Sequence, residues 1–224
     1  MVVQLLSFKI KRKTMKNQIK LLIGLFALIL STNTNGQSIQ KLGPNYFVAG
    51  IPTNEFDAWA AEPQTGNQRQ ANWCWAACSQ MVLNYHGLLI SQEQIVTKIF
   101  GGLVDNPASV MQIRKALSGW APNVQGQISY IYCQSGIASV NEITHALAYK
   151  WPLIVGLKNP NGLVGHVYVL TAIYYSIDQF NNTIPDKVVL RDPMPGKDKD
   201  GPIEVSWNQF SNLLEMVFKV WVSK

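Results

Sequence analysis

The chain has 224 residues, 47% of them apolar and 10% aromatic, a composition that excludes an intrinsically disordered protein. Its formal charge of +6 is confined to one end: six of the 19 basic residues (Lys9, Lys11, Arg12, Lys13, Lys16, Lys20) lie in residues 1–36, which contain no acidic residue, leaving 13 basic against 13 acidic in residues 37–224. That balance removes the case for a nucleic-acid or anionic-membrane partner, and the 188 residues from 37 onward suit one domain with a sizeable core.

Leu21–Leu30 is an uncharged apolar run, preceded by Lys16 and Lys20 and followed by the small polar stretch Ser31–Gln37. A basic start, a short apolar segment and a small-residue exit describe a secretory signal. Ten apolar residues are too few to cross roughly 30 Å of hydrocarbon as a helix. Residues 1–36 are therefore expected to be a signal removed near Gly36–Ser38, with 1–14 an upstream extension of a start at Met15. The expected product is secreted or periplasmic, with no stable membrane anchor.

Residues 37–67, rich in Gln, Asn, Pro and Gly, read as an irregular lead-in to a domain over 68–224. From Asn72 the pattern turns helical, with Cys74, Cys78, Met81, Val82 and Tyr85 on one row, Asn72 as the expected N-cap and Gly87 as the stop. This helix is apolar on most sides and is expected to be buried. Ser91 with Gln94 makes a capping box for a second helix, residues 107–118 read as a third, and Ser139 with Glu142 caps a fourth running to about Lys150. After Trp151-Pro152 the period changes. Leu153–Leu157, His166–Ile173, Val188–Leu190 and Met216–Val222 read as strands, with turn residues over Asp178–Asp186. Helices first and strands afterwards predict an α+β domain, a helical N-terminal part packed on a C-terminal antiparallel sheet.

Three cysteines form no disulfide framework, and an odd count leaves at least one thiol unpaired within the chain. Cys74 and Cys78, four apart on a helix, have Cβ atoms about 5–6 Å apart, whereas a disulfide needs roughly 3.5–4.5 Å. Cys133 either pairs with Cys78 or stays free.

The segment Gln68-Arg69-Gln70-Ala71-Asn72-Trp73-Cys74-Trp75-Ala76-Ala77 sets a cysteine in the first turn of a buried helix. Unpaired N–H groups and the positive end of the helix dipole there favour a thiolate, the nucleophilic form of cysteine. Gln68 or Gln70 could add an amide donor for a developing oxyanion. Of the three histidines, His86 lies about 18 Å from Cys74 along the same helix, and His145 reads as a polar residue on a helix flank. His166 follows Gly165 at the mouth of an apolar strand, where a rigid sheet presents a side chain to a cleft. Asp192 ends the next strand; antiparallel pairing of the two would bring it beside His166, in the place of the group that orients an imidazole. Cys74, Cys78 and His86 lack zinc-finger spacing, and Asp198-Lys199-Asp200-Gly201 lacks the downstream bidentate Glu of a calcium loop, so no metal or cofactor is expected.

Gln68, Asn72-Trp73-Cys74-Trp75-Ala76-Ala77, Gly165-His166-Val167 and Asp192-Pro193, in that order, resemble the papain-like cysteine peptidases, and within them the branch holding bacteriocin-leader peptidases and secreted effector proteases of plant pathogens. The resemblance covers about 68–220. It implies Cys74 as nucleophile, His166 as general base and acid, Asp192 as orienter, and Gln68, six residues before the cysteine, as oxyanion donor in preference to Gln70. The Asp stands where papain has Asn. The implied activity is hydrolysis of a protein or peptide through a Cys74 thioester. The same triad would also serve a cell-wall amidase, an isopeptidase or an acyltransferase, and a papain-like fold can serve as a binding module or toxin.

Overall fold

The computed structural model describes residues 38–60, 66–158, 165–194 and 201–223. The leader expected over 1–36 and the turn residues Asp198–Asp200 lie outside them. In chain order the elements are β1 (Ile39–Gly43), β2 (Tyr46–Gly50), α1 (Thr53–Ala60), α2 (Cys74–Tyr85), α3 (Gln92–Phe100), α4 (Val110–Ala116), β3 (Gly119–Pro122) and β4 (Ile128–Gly136). There follow α5 (Val140–Ala148), β5 (Leu153–Leu157), β6 (His166–Ile177), β7 (Thr183–Arg191), β8 (Ile203–Ser206), α6 (Trp207–Leu213) and β9 (Leu214–Ser223). The nine strands form one sheet in the order β1-β2-β6-β5-β9-β4-β3, with β7 paired to β6 and β8 paired to β7. Every pairing is antiparallel. The domain is α+β, as the order of periodicities predicts.

The central strands are apolar in unbroken runs because both of their faces are covered. Alternation sends Ile154, Val167, Val169, Phe218 and Val220 to one side, where they meet Trp75, Cys78, Met81 and Val82 of α2, Ile95 of α3 and Ile113 of α4. It sends Leu153, Val155, Leu170 and Val217 to the other side, against Ile143, Ala146 and Leu147 of α5 and Phe210 of α6. A helix covered on nearly all sides must itself be apolar all round. Ten of the twelve residues of α2 are buried, including Ser79, whose hydroxyl donates to Trp75 O at 2.7 Å.

The capping boxes Ser91/Gln94 and Ser139/Glu142 form as predicted, and Ser109/Gln112 makes a third. Four expectations are corrected. The lead-in over 37–67 is not irregular: it holds β1, β2 and α1. β1 carries little apolar patterning because it is an exposed edge strand held by backbone pairing to β2, while Phe56 anchors α1 in the core. Asn72 does not cap α2. Trp73 takes that position without a side-chain cap, and Asn72 binds Asp105 instead. The third helix starts only at Val110, beyond Pro107. Helices and strands are also less segregated than expected. β3 and β4 precede α5, and α6 lies between β8 and β9. β3 escapes detection because it holds a Gly and a Pro, and β4 because it turns Tyr130 and Tyr132 outward and buries Ser129.

Trp75 is 1% exposed, with its ring edge-on to Phe100. Trp75→Ala should lower unfolding free energy by about 3–5 kcal/mol in urea titrations, whereas Trp120→Ala, at a 64% exposed position, should change it by no more than about 0.5 kcal/mol.

Candidate active site

Cys74 is the first residue of α2 and half-buried, between two indoles that are almost wholly inside. Each indole N–H is spent on the loop leading to α4: Trp73 Nε1 donates to Val104 O at 2.8 Å and Trp75 Nε1 to Asn106 O at 3.2 Å. Between them, Asn72 N donates to Asp105 Oδ1 at 2.8 Å and Asn72 Nδ2 to Asp105 O at 3.1 Å. Three successive loop residues thus hold the start of α2, and the sulfur has a fixed position. The first-turn N–H groups beside it have no earlier carbonyl to bond within the helix, so the helix's positive end faces the sulfur.

The segment preceding α2 is held as firmly. Gln92 Nε2 donates to Asn67 O at 2.8 Å and to Gln80 Oε1 at 3.1 Å, and Gln92 Oε1 accepts from Arg69 N at 3.1 Å. Gln68 N donates to Pro193 O at 2.7 Å, which joins this segment to the turn after β7. The Gln68 amide is buried, and its Nε2 donates to Gln70 O at 3.1 Å and Ala71 O at 2.9 Å. Gln70 is exposed. Of the two glutamines that sequence left open, Gln68 is the buried one.

β6 and β7 pair antiparallel from Ile177↔Thr183 to Val169↔Arg191, with the hairpin tip over residues 178–182. This register carries Asp192 back to the start of β6, and His166 Nε2 lies 2.7 Å from Asp192 Oδ1. Asp192 is 7% exposed, and its Oδ1 also accepts from Met194 N at 2.9 Å. The ring of His166 meets Tyr168 edge-on, with centroids 4.7 Å apart at 87°. A Cβ on Gly165 would fall 1.3 Å from Leu157 O, so only glycine admits this approach of the chain to β5 just before His166. Cys78 Sγ donates to Val167 O at 3.3 Å and fastens α2 to the residue following the histidine.

Burial opposes a charge on His166. Hydrogen bonds to Asp192 and to Cys74, with the negative potential of both, outweigh it and push its pKa up to about 9. With Nε2 engaged by Asp192, the bond to Cys74 falls to Nδ1, so the imidazole bridges sulfur and carboxylate. Burial, followed by the charges of Asp192, Cys78 and Cys74, raises the Tyr168 hydroxyl to about 12, so it stays protonated. Cys133, on β4, is raised to about 11 by burial, and none of the three cysteines is in a disulfide. Cys74, His166 and Asp192 are thus brought together, while Gln68 is joined through its backbone to Pro193, next to Asp192, and turns its side-chain amide to Gln70 O and Ala71 O. His86 closes the far end of α2, and the His145 ring lies 4.8 Å from that of Tyr149, tilted by 44°.

Residues 60–219 match the model of the Peptidase_C39 like family. The chain belongs to that family. Membership places it among the papain-like cysteine peptidases and agrees with the helix-borne cysteine and antiparallel sheet described above. No curated protein matches the chain. Within this family domain, three features of the site escaped sequence reading. Tyr168 stands two residues beyond His166 on β6, an alternation that could have flagged it. The Asp105 bonds to Asn72 carry no sequence signal across 33 residues. Arg191, 2% exposed, pairs with Asp57 Oδ1 at 2.8 Å and donates to Thr53 O at 3.1 Å, tying α1 to the strand that ends in Asp192.

A folded-state pKa above the unfolded value of about 6.5 means that protonated His166 stabilises the fold below about pH 6.5 and that this contribution is lost as pH rises through about 9. The His166 ring resonances should titrate near pH 9 by NMR, and His166→Ala should flatten the fall in stability between pH 6.5 and 9. A His166 midpoint at or below 6.5 would contradict the ion-pair geometry.

Proposed function

We propose that this protein is an exported cysteine peptidase in which Cys74, His166 and Asp192 act as a triad and Gln68 serves the oxyanion. The observation that carries the reading is the His166 ring held between Cys74 and Asp192, with its proton retained to about pH 9. Imidazolium beside the sulfur favours thiolate, and thiolate attacks the carbonyl carbon of a peptide bond. The negative charge that develops on the carbonyl oxygen faces the N–H groups at the start of α2. Gln70 O and Ala71 O are consecutive acceptors that can share one Gln68 proton in a three-centre bond, leaving the other for the oxyanion. His166 then gives its proton to the leaving amine, the acyl group remains on Cys74 as a thioester, and neutral His166 takes a proton from the water that hydrolyses it. Asp192 keeps the ring in the orientation that both steps require.

The branch that includes bacteriocin-leader peptidases and secreted effector proteases fits the motifs best, and the basic-apolar leader supports export. Protein or peptide chains are the proposed substrates.

An unfolded, fluorescently labelled protein substrate tests the assignment. Cys74→Ala should abolish its hydrolysis and Gln68→Ala should lower kcat by about 10²–10³. Asp192→Ala should reduce the rate less than His166→Ala, because the first disturbs the ring's orientation and the second removes the proton carrier. Undiminished turnover by Cys74→Ala, or full activity in both His166→Ala and Asp192→Ala, would refute the triad.

A further inference from the structure

Four aromatic side chains stand on the open face of the sheet at its β3-β4-β9 end. Alternation turns Ala121, Ile131 and Val220 into the core beneath α2 and sends Trp120, Tyr130, Tyr132 and Trp221 the opposite way. These four are 64%, 55%, 47% and 37% exposed. Trp120 lies directly across from Tyr130, and Tyr132 across from Trp221, whose rings are within 18° of parallel with centroids 6.2 Å apart. Two strand spacings and a two-residue offset set Trp120 and Trp221 about 12 Å apart. The band continues past β9 to Trp151, which lies 5.9 Å from Tyr149 at the end of α5. α5 covers the neighbouring part of this face, against Leu153, Val155 and Val217, and stops where the rings begin.

Core packing does not account for this arrangement. β4 turns Ser129, Ile131 and Cys133 inward yet leaves Ile128, Tyr130 and Tyr132 exposed, so its outward face is as apolar as its inward one, which a sheet with one solvated face does not need. An exposed band of this kind marks a binding surface. Its charge restricts the ligand. The charges beside the rings are few and offset one another: Lys219 lies 5.1 Å over the ring of Trp151 with the Glu142 carboxylate close enough to feel its charge, and Lys150, between Tyr149 and Trp151, is paired with Glu55. A phosphate backbone or an anionic bilayer would need several cations. Rings at strand intervals on a sheet, each with a phenol hydroxyl or indole N–H at its rim, suit a linear neutral ligand that is apolar on its faces and hydroxylated at its edges. A β-1,4-linked polysaccharide has that chemistry: its pyranose C–H faces stack on aromatic rings and its hydroxyls meet the polar rims.

We propose that the Trp120–Tyr130–Tyr132–Trp221 face binds neutral β-1,4-linked polysaccharide. The surface lies on the opposite side of the sheet from α2, so binding is independent of the chemistry at Cys74.

Retention of the purified protein on insoluble chitin and cellulose, with tryptophan-fluorescence titration by their soluble hexasaccharides, tests this. Wild type should be retained on at least one solid and quenched by the matching hexasaccharide. The double variant Trp120→Ala/Trp221→Ala should bind about tenfold more weakly or worse, Trp120→Tyr/Trp221→Tyr should keep most of the affinity, and Cys74→Ala should bind as wild type does. Unchanged thermal unfolding of the variants would show that their folds are intact. Failure of wild type to bind either glycan, equal binding by the double alanine variant, or a wild-type dimer in sedimentation that Trp120→Ala splits would each overturn the proposal, the last by assigning the face to a second copy of this chain.

Discussion

Antiparallel pairing of β6 with β7 returns Asp192 to within 2.7 Å of a histidine ring that lies 26 residues earlier in the chain. The register is specified because both strands are buried on both faces near this end: Val169, Leu170, Leu190 and Arg191 are all at or below 2% exposure. A one-residue slip would reverse every one of them and would turn the carboxylate away from the imidazole. Two ionisable groups removed from water destabilise the site unless each satisfies the other. The raised His166 pKa records the outcome, with Asp192 and Cys74 together outweighing the burial that disfavours its charge.

The sulfur is positioned by a different part of the molecule. α2 is wrapped by α3, α4 and the sheet, so it has no apolar face free to move. Its first turn is fixed by three consecutive loop residues, and it is clasped to β6 through Cys78 and Val167 O. The bond from Gln68 N to Pro193 O closes the circuit between the chain entering the cysteine helix and the chain leaving the aspartate strand. Arg191 adds a second tie, from α1 to β7. Nucleophile, ring and carboxylate therefore rest on elements joined through β6, which packs on α2 with one face and shares the opposite core with β7.

The cysteine helix, the histidine strand and their partner strand were legible in the sequence because each carries a long, regular apolar pattern, and β6 and β7 needed only adjacency to place His166 beside Asp192. Gln68 could be favoured over Gln70 only through family resemblance; the fold adds that Gln68 is buried and Gln70 is in solvent. What stayed hidden was held by tertiary contacts rather than by local preference. β1 and β2 pair on an edge with weak patterning. Trp73 occupies the N-cap of α2, and Asn72 is bonded to Asp105 instead of to the helix's own N–H groups. β4 is apolar on both sides, with Ile131 in the core and Ile128, Tyr130 and Tyr132 in solvent, and it buries Ser129, so its sequence carries no clean alternation of apolar and polar residues.

The account stands on imidazolium and sulfur meeting at the head of α2. The rate of iodoacetamide modification of each cysteine, read by peptide mapping from pH 4 to 10, tests this most directly. Cys78 is buried and Cys133 has its pKa raised by burial, so both should be slow at neutral pH. Cys74 should react at pH 6 far faster than a simple thiol, and His166→Ala should slow it to the rate of one. A wild-type Cys74 profile that follows an unperturbed thiol at every pH, unmoved by loss of His166, would contradict the account.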